Sequence, residues 1–420
     1  MLNRRQFLQT TAVGLPATAI AAHAAPQGKQ KRIAIITTIY RLQSHGQHMG
    51  DRFLVGYPYA GLWHMPDMKV VSLYVDQKPE GDLSQARADE FGLKVYPTIA
   101  ETLRCGGSQL AVDAVLIIGE HGNYPRNEKG QILYPRYEFF QQCVDVFEKD
   151  GRVVPVYNDK HLSYSFEKAK KMVDNSRRLK FPMLAGSSIP VTWRLPAIDL
   201  PMGCEIEDAL MVGEGGSDPM DFHALEGLQC MVERRKGGET GVKAVQLLSG
   251  DAVWKAGEEG RYSKELLTAA LSRSDTPLGL TVTDGRTQDL VASGELQKIA
   301  KNPAAYFIEY RDGLKATMLM LDGAIKDFNF AARVKGTPHM WSTQFLLTPD
   351  PNVTYSACLM HKAEQMFETG VAPYPVDRTL LVSGILESCL TSKVQDHARL
   401  ETPHLKVVYK APSQSQFPTA

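Results

Sequence analysis

Two basic side chains stand where the local pattern places chemistry. Lys160 follows an apolar run at 153–157, which reads as a strand, and α/β folds place ligands beyond the carboxyl ends of their strands. A lysine in such a cleft can give or take the proton of a carbinol oxygen once burial lowers its pKa. His223 stands in Asp221-Phe222-His223 at the head of a helical pattern. A general acid/base histidine there would have Asp221 or Glu226 to fix its tautomer. His45, His48 and Asp51 keep i, i+3, i+6 spacing. With His121 and His161, both after strands, they could meet at the top of a sheet as a site for Zn²⁺ or a similar divalent metal. The plainer reading makes them polar loop residues, some bonding a sugar-like ligand. Glu120, Asn123, Arg126 and Asn127 make one loop strongly polar, and Trp193-Arg194 follows the last strand of this half. An aromatic face beside amide and charged side chains suits a carbohydrate-like small molecule, so Asn123, Trp193 and Arg194 are candidate substrate contacts. Asp76 closes another strand-like run, at the point where an acid accepts hydrogen bonds from a nucleotide ribose; Lys78 beside it could instead meet a 2′-phosphate.

The elements that must position these residues follow from hydrophobic spacing. Short β-branched or apolar runs at 32–40, 69–75, 95–96, 114–118, 153–157 and 183–185 predict buried parallel strands. Helical patterns at 82–91, 99–104, 134–149 and 166–179 alternate with them, and a helix-compatible stretch reaches about residue 63. That alternation predicts a Rossmann-like, doubly wound parallel sheet over 32–190. After residue 190 the pattern changes. A helix at 221–235 lies among extended segments at 205–213, 242–248, 305–310, 315–321 and 328–334, which suit a mostly antiparallel open sheet with one uncovered face. The fold class is therefore α/β with a C-terminal α+β domain at 191–395, whose helix at 370–395 packs back on the first domain. A C-terminal strand and tail occupy 396–420.

Four segments carry a resemblance. Residues 86–118 hold Ala88, Phe91-Gly92, Tyr96, Thr98, Glu101, Leu103 and Asp113-Ala114-Val115; Gly151-Arg152-Val153 runs on to Asp159-Lys160; Asp221-Phe222-His223 heads a helix; and residues 367–387 read FETGVAPYPVDRTLLVSGILE. In this order and spacing the chain resembles the Gfo/Idh/MocA oxidoreductase family over most of 32–395. The resemblance implies Lys160 and His223, with Asp221, as the proton-handling residues of a sugar or polyol oxidoreductase. It implies NAD or NADP held near Thr37, Thr38, Asp76, Glu120, His121 and Asp159, and a homo-oligomer joined through the open sheet. The chain also departs from the family. The G-x-G-x-x-G turn that lets backbone approach a pyrophosphate is Thr37-Thr38-Ile39-Tyr40-Arg41-Leu42 here, with no glycine before Gly46. His161 replaces a proline, and Pro219 stands where an aspartate precedes the histidine, with Asp218 and Asp221 nearby. A non-redox carbohydrate-active enzyme (lyase, epimerase or hydrolase, metal-dependent or not) and a non-catalytic binding protein remain open beside the oxidoreductase.

Bulk properties set the outer limits. With 47 basic and 47 acidic residues the formal charge is zero, which argues against nucleic acid or an anionic membrane as partner. Arg4-Arg5-Gln6-Phe7-Leu8, an uncharged run from 10 to 22 and Ala22-His23-Ala24 predict a twin-arginine signal over 1–25, hence the twin-arginine export machinery as partner and a periplasmic destination without membrane insertion. The six cysteines form no CxxC pair, so neither a zinc knuckle nor a disulfide framework is expected, although one or two bridges stay open in an oxidising compartment.

Overall fold

The computed structural model describes residues 30–215, 218–279, 289–348 and 352–418, and the expected signal at 1–25 lies outside them. The described residues from Lys31 onward form one compact unit.

The first half begins with β1 (Lys31–Thr37), followed by two short helices, α1 (His45–Gly50) and α2 (Arg52–Val55), and a hairpin of β2 (Tyr57–Tyr59) and β3 (Leu62–His64). The wound sheet continues with β4 (Met68–Val75), α3 (Ser84–Phe91), β5 (Lys94–Val95), α4 (Ile99–Arg104), β6 (Ala114–Ile118), α5 (Arg136–Asp150), β7 (Val156–Asp159), α6 (Phe166–Leu179) and β8 (Met183–Gly186). Six parallel strands lie in the order β5-β4-β1-β6-β7-β8. The order reverses at β1, so a crevice opens beyond its carboxyl end, between β4 and β6.

The chain leaves β1 differently from the expected strand at 32–40. The strand stops at Thr37, and Ile39 and Tyr40 turn inward, each 1 % exposed. Gly46 takes the helix-to-strand packing position: a Cβ there would lie 2.4 Å from both Ile39 O and Thr37 Oγ1. The helix-compatible reading to residue 63 also fails. Gly56 ends α2 at φ +82°, and Ala60 and Gly61, at φ 48° and 75°, form a two-residue turn between Tyr59 and Leu62. Both residues of such a turn need positive φ, and its twist suits a hairpin.

The second half adds β9 (Arg194–Leu195), β10 (Ile206–Gly213), α7 (Asp218–Val232), β11 (Val242–Ser249), α8 (Asp251–Glu258), α9 (Lys264–Leu271), α10 (Leu296–Ile299), β12 (Ala304–Tyr310), β13 (Lys315–Met320), β14 (Phe328–Val334) and β15 (Trp341–Phe345). It ends with α11 (Tyr355–Thr369), α12 (Asp377–Val394) and β16 (Leu400–Glu401). The eight strands run β16-β11-β12-β13-β10-β14-β15-β9, mostly antiparallel, with β10 and β13 parallel. The uncovered face expected from strand alternation is not there. Val253, Ala256, Leu266, Leu267 and Ala270 of α8 and α9 pack on Leu210, Val212, Ala305 and Leu319 of the sheet. The opposite face carries α7 and α12.

α12 joins the two halves. Its Ser383 accepts a hydrogen bond from Leu162 N–H, and its Glu387 accepts one from Phe166 N–H at 2.6 Å. α11 instead lies on the β1–β4 side of the wound sheet, with Leu359, Met360, Ala363 and Phe367 against Met49, Phe53 and Val70. All six cysteines are free thiols. Among the described residues no helix is long and apolar enough to cross a membrane.

Candidate functional site

Five segments converge beyond the carboxyl ends of β6 and β7: the residues after each strand, the starts of α1 and α5, and the first turns of α7. The two residues immediately past the strand loops carry unusual backbone. His121 sits at φ 68° and Lys160 at φ 62°. Non-glycine residues are uncommon there, and such conformations cluster at functional sites. The turn aims Lys160 inward, where its Nζ bonds His223 Nε2 on α7. Lys160 is 3 % exposed and His223 6 %. Burial lowers the Lys160 pKa, with Glu120 and Asp159 opposing the fall. Burial, with Lys160 beside it, also holds His223 far below the ordinary imidazole value. Lys160 can therefore donate to a neutral His223 Nε2, because a second positive charge in this setting is disfavoured.

A second pair lies alongside. His45 Nδ1 donates to Asp159 Oδ2 at 2.7 Å, and the backbone N–H of His45 points at His121 Nδ1, 3.3 Å away. His48 stacks edge-on to His45, with ring centroids 4.9 Å apart. Burial keeps His45, His48 and His161 neutral and raises the Asp159 carboxyl. Arg136, wholly buried at the start of α5, ion-pairs Glu120 and donates to His161 Nε2 at 3.1 Å. Asp159 Oδ1, His48 Nδ1 and His223 Nδ1 are buried polar atoms without a protein partner, a pattern that marks places for ligand or solvent contacts.

The adjoining cavity, about 600 Å³, is large enough for a small organic ligand. Asp218, Asp221, Tyr306, Arg126, Lys129 and Lys393 are among the residues that line it. Lys160 and His223 are not among its lining residues. Tyr306 donates to Asp221 Oδ2 at 2.6 Å. Burial raises Asp221 to about 7 and Asp218 to about 6, so both can hold a proton near neutrality.

Glu226, one turn beyond His223, accepts from Ser187 N–H at 2.9 Å and from Thr379 Oγ1 at 2.7 Å, and burial raises it from 4.5 to about 7. The folded protein thus binds the Glu226 proton more tightly than the unfolded chain. This contribution to stability is complete below pH 4.5 and falls away as pH rises to about 7. Glu226→Gln, which mimics the protonated form, should gain stability relative to wild type across that window and no further above it. Paired urea titrations from pH 4.5 to 8 measure this, and a pH-independent difference would refute it.

The structure brings together Lys160, His223, Asp159, Glu120, His121, His45 and His48. Asp221 lines the adjoining cavity but bonds Tyr306, and Glu226 bonds Ser187 and Thr379, so neither fixes the His223 tautomer as expected. Other predicted residues are placed differently. Asp51 cannot complete a metal set with His45 and His48: its oxygens accept from Tyr40, Gln47 and Arg87, with both Arg87 bonds at 2.9 Å. Arg194 is no substrate contact, because its guanidinium is buried against Asp199 and between Phe345 and Phe417. Trp193 packs beside the core under α11 and also misses the cavity. Thr37 and Thr38 turn their hydroxyls onto the carbonyls of Ile39, Ile118 and Glu120, where they brace the turn. Asp76 and Asn123 stay at the exposed rim of the crevice. Arg136, Tyr306, Lys129 and Lys393 enter the site without any local sequence signal; each sits in an ordinary helix, loop or strand pattern.

No family model matches the chain, and no curated protein matches it in sequence. Solved structures do match it in fold. GenD2 from gentamicin A biosynthesis, solved with NAD, is 14 % identical at a TM-score of 0.54, over 90 % of this chain and 97 % of that one. The myo-inositol dehydrogenase of Lactobacillus casei, solved with NAD(H) and myo-inositol, is 12 % identical at a TM-score of 0.54, over 91 % and 98 %. The apo scyllo-inositol dehydrogenase of Lactobacillus casei is 10 % identical at 0.50, over 89 % and 98 %. The architecture is the two-domain fold of these solved structures.

Proposed function

We propose that this protein is an exported, sugar- or polyol-directed oxidoreductase of the Gfo/Idh/MocA type, in which Lys160 and His223 handle the proton of the reacting hydroxyl. The observation that carries this reading is the buried Lys160–His223 contact beyond the strand ends, next to a small-molecule cavity. A substrate hydroxyl that displaces His223 from Lys160 would meet an amine whose pKa burial has already lowered. Lys160 then takes the hydroxyl proton and His223 can pass it on. Asp159 fixes His45 by its 2.7 Å bond, and Glu120 sets the local charge that keeps Lys160 protonatable. The cationic lining residues Arg126, Lys129 and Lys393 orient polar groups of the substrate.

The crevice over β1 bears on the cofactor. Tyr124 donates to Asp76 at 2.7 Å, and Gln77 and Asn123 exchange two hydrogen bonds at 2.9 and 3.0 Å, so three exposed bonds bridge the two rims. At about 0.5–1.5 kcal/mol each, parting them costs roughly 2–5 kcal/mol. A nanomolar ligand brings about 12 kcal/mol, so the bridge weakens a dinucleotide without excluding it. Once parted, Asp76 would be free to hold a ribose, and Glu120, His121 and Asp159 would be the residues nearest the redox end of the dinucleotide. A bound NAD or NADP supplies the hydride acceptor.

The bridge also favours a second reading, in which the crevice stays shut and the same basic pair serves non-redox chemistry on a carbohydrate. Ser44 Oγ and His121 Nδ1 already occupy N–H groups at the start of α1, which supports it. Protein purified without added nucleotide and then denatured decides between the two. Release of stoichiometric NAD or NADP is the expected result. No nucleotide, and none bound on titration even after Tyr124→Phe and Gln77→Ala open the bridge, would end the redox reading.

A homo-oligomer remains part of the proposal, but α8 and α9 cover the sheet face expected to form its interface, so another surface must serve. Export by the twin-arginine route and a periplasmic destination rest on residues 1–25.

A further inference from the structure

A different cluster lies away from the cleft, where the β2–β3 hairpin meets α11. His361 and Glu364 stand one turn apart on α11, and His64 faces them from β3. One donor atom from each of these three residues lies within 4.8 Å of the others. His64 Nε2 is 2.9 and 3.0 Å from the two Glu364 oxygens. Tyr57 on β2 donates to Glu364 and is 3.1 Å from His361 Nδ1. Tyr59 stacks on the His361 ring, with centroids 3.8 Å apart at 21°, which holds that imidazole in one orientation.

Glu364 is 2 % exposed, and its hydrogen-bond partners are a phenol and an imidazole rather than a lysine or arginine. A buried carboxylate ordinarily has a cationic partner, because its desolvation is otherwise uncompensated. Two imidazoles and a carboxylate from two separate elements are the three-ligand set that holds Zn²⁺ with one position left for water. The His64 side chain is 36 % exposed, so an ion and its water can reach the site. Trp63 and Leu62 beside it are 61 % and 74 % exposed, and the hairpin that bears them is short. An isolated two-stranded hairpin is marginal in water, and a metal shared with α11 would anchor it.

We propose that His64, His361 and Glu364 form a binding site for one divalent transition metal of the Zn²⁺ class, clamping the β2–β3 hairpin to α11. The inference stands apart from the proposed reaction at Lys160.

The full-length mature protein tests it with metal alone. Chelator-stripped protein is titrated with Zn²⁺ and, separately, with Co²⁺, whose visible absorption reports coordination geometry, and elemental analysis counts the ions retained. One ion per chain is expected, with a tetrahedral or five-coordinate Co²⁺ spectrum. Glu364→Gln, which keeps shape and hydrogen bonding, and His361→Ala should each weaken binding at least tenfold, while His48→Gln should leave it unchanged. Absence of stoichiometric binding would overturn the proposal. So would binding that survives Glu364→Gln and His361→Ala but is lost in His48→Gln, which would put the ion in the strand-end cluster. Circular dichroism of each variant separates loss of the site from loss of the fold.

Discussion

Lys160→Met should lower turnover about 10²- to 10⁴-fold, the range expected when a positioned proton-transfer group is removed. The methionine keeps most of the side-chain volume at a site that is 3 % exposed, so the packing around α7 persists. It removes the amine that bonds His223 and leaves the imidazole without its proton partner. Lys160→Arg should fail to rescue, because a guanidinium stays charged and cannot act as the base. Rate measurements on a panel of polyols and aldoses, with an unfolding curve for each variant, check this. A variant that is stably folded and retains more than about a tenth of wild-type turnover would remove Lys160 from the chemistry. The same experiment serves the redox and non-redox readings, since both use this proton, and nucleotide release then tells them apart.

The wound sheet was open to sequence reasoning because its strands are continuous apolar runs. Residues 114–118 are wholly buried from end to end, and the run is β-branched-rich and of strand length, which is what separates it from a buried helix. The placements of Lys160 and His223 were legible from the same pattern: one follows a strand and the other lies in the first turns of a helix. The loop from 38 to 52 was not, because its direction depends on Ile39 and Tyr40 turning under Gly46, which no periodicity encodes. Asp51 has the spacing of a ligand but answers to Arg87, a residue of another helix. Arg194 looked like a sugar contact beside Trp193 and instead pairs with Asp199 under two phenylalanines. The covered face of the second sheet has a similar origin. Residues 266, 267, 270 and 271 carry helical spacing, yet spacing does not say which sheet face a helix will shield. The His64–His361–Glu364 cluster joins positions about 300 residues apart, beyond any local motif.

Arg136→Met should destabilise the folded chain by about 3–5 kcal/mol, the cost of leaving one member of a buried ion pair without the other. Arg136 is fully buried, and its partner Glu120 is 4 % exposed, so solvent screens little of the loss. Arg136→Met with Glu120→Gln should recover most of the stability, because removing both charges also removes their desolvation. Denaturant titrations of the two variants measure this; a single variant within about 1 kcal/mol of wild type, or a double variant no better than the single, would contradict it. Activity should not recover with stability. Glu120 supports the protonated form of Lys160, and Arg136 holds His161 by a 3.1 Å bond. The double variant therefore separates two roles of one ion pair: it would restore the joint between the ends of β6 and β7 while leaving the lysine in a less anionic setting. Lowered turnover in a protein of near-native stability is the expected signature of that division.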